Sequence, residues 1–144
     1  MKVVFIQAEG THPLRLMVLR PGGTLADCQW PIDTVSEAFH LAVDDGDARI
    51  CVASFQPAPH PTLPANAPWQ LRGMATHPEH RGRGAGRLLV EYALQLLRER
   101  GADLLWCNAR LVAVPFYRRL GFQVQGPEFD IPGIGPHHVM GRAV

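Results

Sequence analysis

The sequence predicts a mixed α/β domain whose central sheet contains a parallel strand pair bridged by a helix. The chain has 144 residues, of which 47% are apolar, and this suits one domain with a buried core over residues 1–144. In its second half, a strand pattern at 69–76 is followed by a glycine-rich loop, an amphipathic helix and a buried strand at 102–107. A strand, a helix and a strand in that order form a crossover between parallel neighbours. We therefore expect a mixed sheet flanked by helices.

The first half of the chain predicts the strands that complete this sheet. Lys2–Ile6 reads as a short strand, and residues 14–19 as a brief helix that ends before a Pro-Gly-Gly turn. Residues 39–43 and 49–55 flank an Asp-Asp-Gly-Asp turn, which is typical of an antiparallel hairpin. Residues 57–68 contain five prolines, which cannot donate to a ladder, so we expect an exposed loop whose order the sequence leaves open.

The second half predicts two helices and three further strands. Apolar residues recur at spacings of three and four from Leu89 to Leu97, which indicates an amphipathic helix that ends at Gly101. After the buried strand at 102–107, residues 108–120 suggest a short helix that ends at Gly121. Residues 122–126 and 138–142 suggest a final strand pair, joined by a glycine- and proline-rich loop around residues 130–136.

Composition and charge exclude several classes of protein. Fourteen basic and thirteen acidic residues give a net charge of +1, so no general attraction to nucleic acid or to an anionic membrane is expected. The chain has three cysteines, an odd number, and they lie in apolar surroundings. This favours reduced core residues over disulfides or a metal site for Cys28, Cys51 and Cys107. No apolar run approaches the ~18 residues of a membrane helix, and no targeting segment is evident, so we expect a cytoplasmic protein.

The glycine-rich loop before the amphipathic helix has the features of an anion site. Its sequence, HRGRGAGRLL at residues 80–89, places three glycines and three arginines at a helix N-terminus. The first N–H groups of a helix are unpaired and carry partial positive charge, and glycines let an anion approach them. A triphosphate loop would require Lys and Ser or Thr where Arg87 and Leu88 stand. The even spacing of the glycines also disfavours a dinucleotide fingerprint.

Four motifs in order resemble the GNAT superfamily of N-acetyltransferases. Residues 81–86, Arg-Gly-Arg-Gly-Ala-Gly, resemble the family's Arg/Gln-x-x-Gly-x-Gly/Ala loop, which binds the pyrophosphate of acyl-CoA. Residues 74–78 look like the central strand that leads into that loop, and Asn108 follows the next strand. Residues 113–122, AVPFYRRLGF, are similar to the family's A-x-x-F-Y-x-x-x-G-F signature. The specific part of the resemblance covers residues 71–122.

This resemblance implies a GNAT-like acyl-CoA N-acyltransferase fold, with splayed parallel central strands and acetyl-CoA as acyl donor. The pantetheine arm would lie between those strands, and a neutral amine would attack the thioester directly, without a metal. Gly73 within its strand independently suggests a bulge that aims backbone N–H groups at the thioester. The residues assigned to acyl-CoA by the resemblance are Met74, Ala75, Thr76, Arg81, Gly82, Arg83, Gly84, Ala85, Gly86, Arg87, Asn108, Phe116 and Tyr117.

The resemblance also assigns catalytic residues. Tyr117 matches the family's general acid for the departing thiolate, and Asn108 would orient the pantetheine. The general base stays open between His40 and His137, which rank together, with His77 and Glu37 as further candidates. Four acidic residues are candidates to attract a cationic acceptor, namely Asp33, Glu37, Glu128 and Asp130.

The identity of the acceptor and two other functions stay open at this point. A small-molecule or peptide amine fits the chemistry, and neither nucleic acid nor a membrane is expected as a partner. Dimerisation through the terminal strands is left open. The first alternative function is a non-catalytic acyl-CoA-binding or regulatory module that keeps the phosphate loop. The second is a protein-interaction domain without a cofactor.

Overall fold

One mixed sheet of eight strands forms the centre of the computed structural model, which describes all residues from Met1 to Val144. The helices are α1 (His12–Leu14), α2 (Ala85–Glu99) and α3 (Val114–Arg119). Short 3₁₀ and π turns at Ala8–Thr11 and Arg15–Leu19 extend α1 into a helical N-terminal segment, residues 8–19. The strands are β1 (Lys2–Ile6), β2 (Phe39–Asp45), β3 (Ala48–Pro57), β4 (Pro68–Thr76), β5 (Leu104–Arg110), β6 (Gln123–Val124), β7 (Phe129–Ile131) and β8 (Gly135–Ala143).

The order of the strands is β1-β2-β3-β4-β5-β8-β6, and β7 pairs with β8. Only β4 and β5 are parallel neighbours, and α2 connects them as a crossover. Their ladder runs from Pro68 and Leu104 to Gln70 and Trp106, and beyond that pair the two strands diverge. The predicted mixed sheet with splayed parallel central strands flanked by helices is therefore confirmed.

The two faces of the sheet carry different elements. The apolar side of α2, with Leu89 and Leu97 fully buried, packs with Phe55 and Leu71 in the main core. Leu14 of the N-terminal segment belongs to a smaller cluster on the other face. This division follows from the amphipathic pattern of α2 and from strands whose successive residues point to opposite faces. A ligand in the gap between β4 and β5 therefore has α2 on one side of the sheet and the N-terminal segment on the other.

A buried polar network joins the N-terminal segment to the sheet. Arg15 has no exposed surface, and its Nη1 donates to both carboxylate oxygens of Asp33 at 2.9 Å. His12 Nε2 donates to the same carboxylate at 3.1 Å. Arg15 Nη2 donates to Ser54 Oγ at 2.8 Å, and Ser54 Oγ lies 2.6 Å from His40 Nδ1. A buried charge is tolerated only when it is paired in this way, so the network fixes the segment on β3.

Two features of the second half differ from the sequence prediction. β5 continues to Arg110, so Asn108 lies inside the strand rather than after it, and the predicted helix at 108–120 is reduced to a 3₁₀ turn and α3. The strand extends because residues 107–110 pair with β8, which is a tertiary contact. The expected loop at 130–136 contains β7, which forms a hairpin with β8 at Phe129 and His137.

The proline-rich segment is a packed loop between β3 and β4. The indole N–H of Trp106 donates to Ala58 O at 2.9 Å, and the His60 ring lies edge-on to Trp106 with centroids 4.9 Å apart. The carboxylate of Asp103 accepts from the backbone N–H groups of Asn66 and Ala67. These contacts anchor the loop to β5 and to Asp103, which directly precedes it, next to the paired part of the parallel strands.

Other sequence expectations concern cysteines, metals and membranes. Cys28, Cys51 and Cys107 are free and buried, as their apolar surroundings predicted. No group of three or more His, Cys, Asp or Glu side chains has the proximity that a metal ion would require. None of the helices combines the length and the apolar character of a membrane-spanning segment.

Candidate active site

The main cleft of the protein lies in the gap where β4 and β5 separate. Its walls are formed by β4 from Gln70 to Met74, by β5 from Cys107 to Arg110, by α3 and by the β7–β8 hairpin. β4 keeps its ladder with β3 on one side, and β5 keeps its ladder with β8 on the other. The backbone edges that face the gap beyond Gln70 and Trp106 therefore have no strand partner. An extended ligand could form ladder hydrogen bonds with either edge.

A bulge in β4 shapes one wall of this cleft. Gly73 has a φ of +68°, and the β3–β4 register shifts there, so that Gly73 and Met74 oppose a single residue, Ala53. A Cβ on Gly73 would lie 2.7 Å from Cζ3 of Trp30, so the position requires glycine for space as well as for conformation. The bulge that the sequence suggested is present, and it changes the direction of the backbone groups that line the cleft.

The glycine-rich loop lies between β4 and the N-terminus of α2. Gly82 and Gly84 have φ values of +77° and +83°, and a Cβ on either would meet no atom within 4 Å. Glycine is therefore needed at these two positions for the left-handed backbone rather than for space. The first intrahelical bond is donated by Leu88 N–H to Gly84 O, so the N–H groups at 85–87 have no acceptor within the helix. This turn presents a set of backbone donors suited to an anion.

The arginine side chains of the loop are partly engaged by carboxylates. Arg83 donates to Asp45 at 2.7 Å, and its hydrogen bond and charge hold the pKa of Asp45 below its ordinary range. Arg87 Nε donates to Glu91 at 2.8 Å, with both side chains exposed. Arg83 and Arg87 therefore already have carboxylate partners, whereas exposed Arg81 forms no ion pair and is available to a ligand together with the backbone N–H groups.

Gly86 and Phe116 connect the loop to α3. Gly86 is buried, and a Cβ there would lie 3.0 Å from Cζ of Phe116 and 3.8 Å from Sδ of Met74. The absence of a side chain at Gly86 therefore lets the start of α2 pack directly on the cleft wall formed by Met74 and Phe116. Ala75 is buried beside Val52 of β3.

Tyr117 is a buried phenol on the wall of the cleft. Its ring packs edge-on against Phe116 and Phe122, with centroids 5.0 and 5.3 Å away. Burial raises the pKa of Tyr117 well above its ordinary value, and the neighbouring thiols of Cys107 and Cys51 add to this effect. Burial also raises the pKa of Cys51 to about 11, where the hydroxyl of Thr76 donates to its sulfur at 3.3 Å. The Tyr117 phenol therefore keeps its proton at neutral pH.

Asn108 and His137 reach the cleft from neighbouring strands. Asn108 pairs with Val139 in the β5–β8 ladder, and its side chain lies among the cleft residues. His137 is 4% exposed, and its Nδ1 lies 2.7 Å from Gly135 O. A carbonyl oxygen can only accept, so Nδ1 carries a hydrogen and donates it. In neutral His137 the lone pair is then on Nε2, which can accept a proton.

The other candidate bases lie outside the cleft. His40 lines a separate depression with Glu9 and Asp33, and burial lowers its pKa. His77 precedes the glycine-rich loop, where its ring nitrogen accepts from the N–H of Glu79. The structure thus brings five of the expected site residues together around the cleft and leaves His40 apart. Those five are Met74, Asn108, Phe116, Tyr117 and His137.

The comparisons with known proteins agree with this geometry. The family model described as the acetyltransferase (GNAT) family matches residues 13–122, which is most of the chain. The chain belongs to the GNAT family. A relative in Bacillus subtilis (strain 168), named uncharacterized N-acetyltransferase YitI, is 39% identical over 140 residues, covering 97% of this chain and 94% of the relative. The resemblance read from the four motifs is confirmed, and so is the N-acetyltransferase class of this GNAT enzyme.

Solved structures share the GNAT fold. An acyl-CoA N-acyltransferase from Pseudomonas aeruginosa has a TM-score of 0.77 at 18% identity, covering 99% of this chain and 100% of the other. An aminoglycoside 6'-N-acetyltransferase in complex with coenzyme A has a TM-score of 0.75 at 15% identity, covering 99% and 97%. GNAT enzymes use acetyl-CoA as acyl donor and act on amines.

The arginines and the tryptophan that line the cleft of this GNAT enzyme were not among the site residues predicted from the sequence. They are Arg20, Trp30, Arg72 and Arg110. Arg72 could have been identified from the sequence, because a charged residue in a predicted strand lies on the face opposite to its apolar neighbour Leu71. The others lie far apart in sequence and meet only in the folded chain.

Proposed function

We propose that residues 1–144 form one GNAT domain that transfers an acetyl group from acetyl-CoA to a primary amine, with Tyr117 as general acid. The single observation that carries this proposal is the end of the parallel ladder at Gln70 and Trp106. It leaves an unpaired strand edge that leads towards the glycine-rich loop and has the buried phenol beside it.

The residues around the gap suit an acyl-CoA ligand. The left-handed conformations of Gly82 and Gly84 and the free N–H groups at 85–87 support binding of the pyrophosphate. The open edge of β4 at Gly73 and Met74 supports binding of the pantetheine, as an added strand would be bound. Acetyl-CoA would supply the activated acetyl group as a thioester. Asn108 of β5 lines the same cleft, which supports a role in orienting the arm.

Tyr117 would hold the proton that the leaving thiolate requires. Its raised pKa keeps that proton on Oη, and its place on the cleft wall puts the phenol beside the unpaired strand edge. The same environment makes Cys107 a poor nucleophile, because burial strongly raises the pKa of its thiol and keeps it protonated. Direct attack by the amine needs no nucleophile from the protein.

We infer that His137, rather than His40, accepts the proton of the acceptor amine. His137 lines the cleft with Tyr117 and has Nε2 free, whereas His40 lies under the N-terminal segment in a different depression. His137 is held by the carbonyl of Gly135, so its ring orientation is fixed before the acceptor arrives.

CoA release tests the proposal, using acetyl-CoA and a broad panel of primary amines. We expect wild-type protein to release CoA with at least one amine, and Tyr117→Phe to release it much more slowly while binding CoA equally well. Binding of acetyl-CoA without CoA release from any amine would contradict the transfer activity and favour an acyl-CoA-binding module.

A further inference from the structure

Three guanidinium groups line the side of the cleft that faces the N-terminal segment. They belong to Arg20, Arg72 and Arg110, and none of them forms an ion pair. No Asp or Glu is among the residues that line the cleft. The cleft therefore carries positive charge that no protein carboxylate neutralises.

The three groups are held close together. Arg20 and Arg110 both donate to the carbonyl oxygen of Leu19, at 2.9 and 3.1 Å. Arg72 lies over the ring of Trp30 with its Cζ 5.0 Å from the centroid, and Arg20 approaches the same ring at 5.4 Å. Two arginines on one carbonyl and two on one indole form a single cluster at the end of the cleft.

Like charges so arranged destabilise one another unless an anion lies between them. Burial lowers the pKa of Arg72, and repulsion from Arg15 and Arg20 adds to this effect. Burial, followed by repulsion from Arg20, lowers the pKa of Arg110 as well. The charge of Asp33 offsets only part of this effect at Arg72, and neither arginine has an acidic partner in contact. A carboxylate or phosphate is the group whose geometry matches several guanidinium donors.

The cluster lies apart from the region that suits the pyrophosphate of acyl-CoA. Arg72 contacts Trp30, which packs with Arg15 of the N-terminal segment, with Arg15 Cζ 4.0 Å from the ring centroid. The glycine-rich loop starts α2, which covers the opposite face of the sheet. The loop and the cluster are therefore at two ends of one passage through the gap.

Resting on the proposed acetyl transfer, we infer that the acceptor is a small primary amine that also carries a carboxylate or phosphate, and that Arg20, Arg72 and Arg110 bind this oxyanion. The anion places the amine towards Tyr117 and His137, which line the same cleft. A polycationic acceptor would meet three like charges. Of the four acidic residues considered from the sequence for attracting a cation, Asp33 is paired with Arg15, and none lines the cleft.

Binding to the CoA-saturated protein tests this inference without requiring turnover. The probes are α-, β- and γ-amino acids and O-phosphoethanolamine, each measured beside the amide or alcohol that lacks its charge, with putrescine as the cationic probe. At matched ionic strength, we expect at least one amine that carries an oxyanion, called here the anionic amine, to raise the midpoint of thermal unfolding by several degrees. The partner without the oxyanion and putrescine should have little effect. Comparison of the carboxylate and phosphate probes shows which oxyanion is preferred. Stabilisation by amines that lack an oxyanion, or by no amine that carries one, would overturn the inference.

Variants of the cluster arginines test whether these residues bind the anionic amine. Arg72→Gln and Arg110→Gln should each weaken binding of the anionic amine at least 10-fold and leave CoA affinity unchanged, whereas Arg110→Lys should retain part of the binding. Arg98→Gln, on an exposed position of α2, is the matched control. Loss of CoA affinity in the cleft variants would place the cluster in the donor site and overturn the inference.

The two proposals fail in different ways. Binding of an anionic amine without CoA release would contradict the proposed transfer and leave the anion site intact. CoA release only with amines that lack an oxyanion would leave the transfer intact and overturn the anion site.

Discussion

Gln70 and Trp106 form the last pair of the parallel ladder, and the strands that carry them separate immediately beyond it. Each strand remains supported on its other edge, β4 by β3 and β5 by β8. The gap is therefore a rigid opening in a paired sheet rather than a frayed end. Binding of acyl-CoA in this position is supported by the open strand edges together with the glycine-rich loop and Tyr117.

Replacing Tyr117 by Phe tests the general acid. The variant keeps the ring that packs on Phe116 and Phe122 and loses only the hydroxyl. We expect kcat to fall by about 10²-fold, because general-acid catalysis typically contributes that much or more, with the Kd for CoA unchanged. Unchanged turnover would remove Tyr117 from this role.

The pH profile gives a second readout on Tyr117. Its pKa is raised, so the protonated, active form persists above the ordinary range of a tyrosine. In wild-type enzyme, kcat should show no loss from Tyr117 ionisation up to about pH 10. A decline well below that pH that disappears in Tyr117→Phe would contradict the assignment of the raised pKa.

Gly84→Ala tests the backbone conformation of the phosphate loop. A left-handed backbone costs a residue with a side chain about 1–2 kcal/mol, so relaxation of Gly84 should move the N–H groups at 85–87 and weaken CoA binding, measured by calorimetry. Gly101→Ala is a matched control at the other end of α2, because Gly101 has a φ of +78° and open space around it. Equal CoA affinity in the two variants would count against the loop.

His137→Gln tests the general base. We expect kcat/KM to fall, because the glutamine side chain cannot accept the proton of the amine. His40→Gln serves as comparison, because His40 lies in a separate depression beside Ser54. A larger fall in kcat/KM from His40→Gln than from His137→Gln would reverse the assignment.

Asp33 should make stability depend on pH. Burial opposes its ionisation, but hydrogen bonds from Trp30 N–H, His12 and Arg15, with the charge of Arg15, hold its pKa below the ordinary range. A lowered pKa contributes stability above the unfolded value of about 3.9, and this is lost as pH falls through the folded value. Asp33→Asn should cost about 3–5 kcal/mol at pH 7, because it leaves Arg15 buried without its partner.

The difference in unfolding free energy between Asp33→Asn and wild type should itself depend on pH, and this dependence tests the role of the Asp33 charge. In denaturant unfolding, the stabilities of Asp33→Asn and wild type should start to converge below the unfolded value of about 3.9, and should coincide only once the pH has fallen through the lower folded pKa of Asp33. Asp44→Asn is the control, since Asp44 pairs with Arg49 at the surface and is expected to cost at most about 1 kcal/mol. A difference that stays constant with pH would contradict the role of the Asp33 charge.

Local sequence patterns predicted the parallel unit, the glycine-rich loop and the bulge in β4, whereas Tyr117 was assigned by the resemblance of residues 113–122 to the GNAT signature. Each depends on residues close together in the chain: the apolar spacing of α2, the left-handed glycines and a lone glycine that marks the β4 bulge. The end of β5 was missed because residues 108–110 extend only by pairing with β8. The arginine cluster was missed because Arg20, Arg72 and Arg110 meet through tertiary packing, which no local pattern encodes.

Hydrogen exchange of the backbone amides, with and without CoA, tests the position of the acyl donor most directly. We expect CoA to slow exchange at the N–H groups of residues 71–76 that face the gap and at 82–87 of the loop, because those groups gain acceptors. The N–H groups of β4 that already donate to β3, and those of Trp69 and Gln70, should change little. Protection confined to other regions, with no change at 71–76 and 82–87, would contradict the placement of the donor in the gap between β4 and β5.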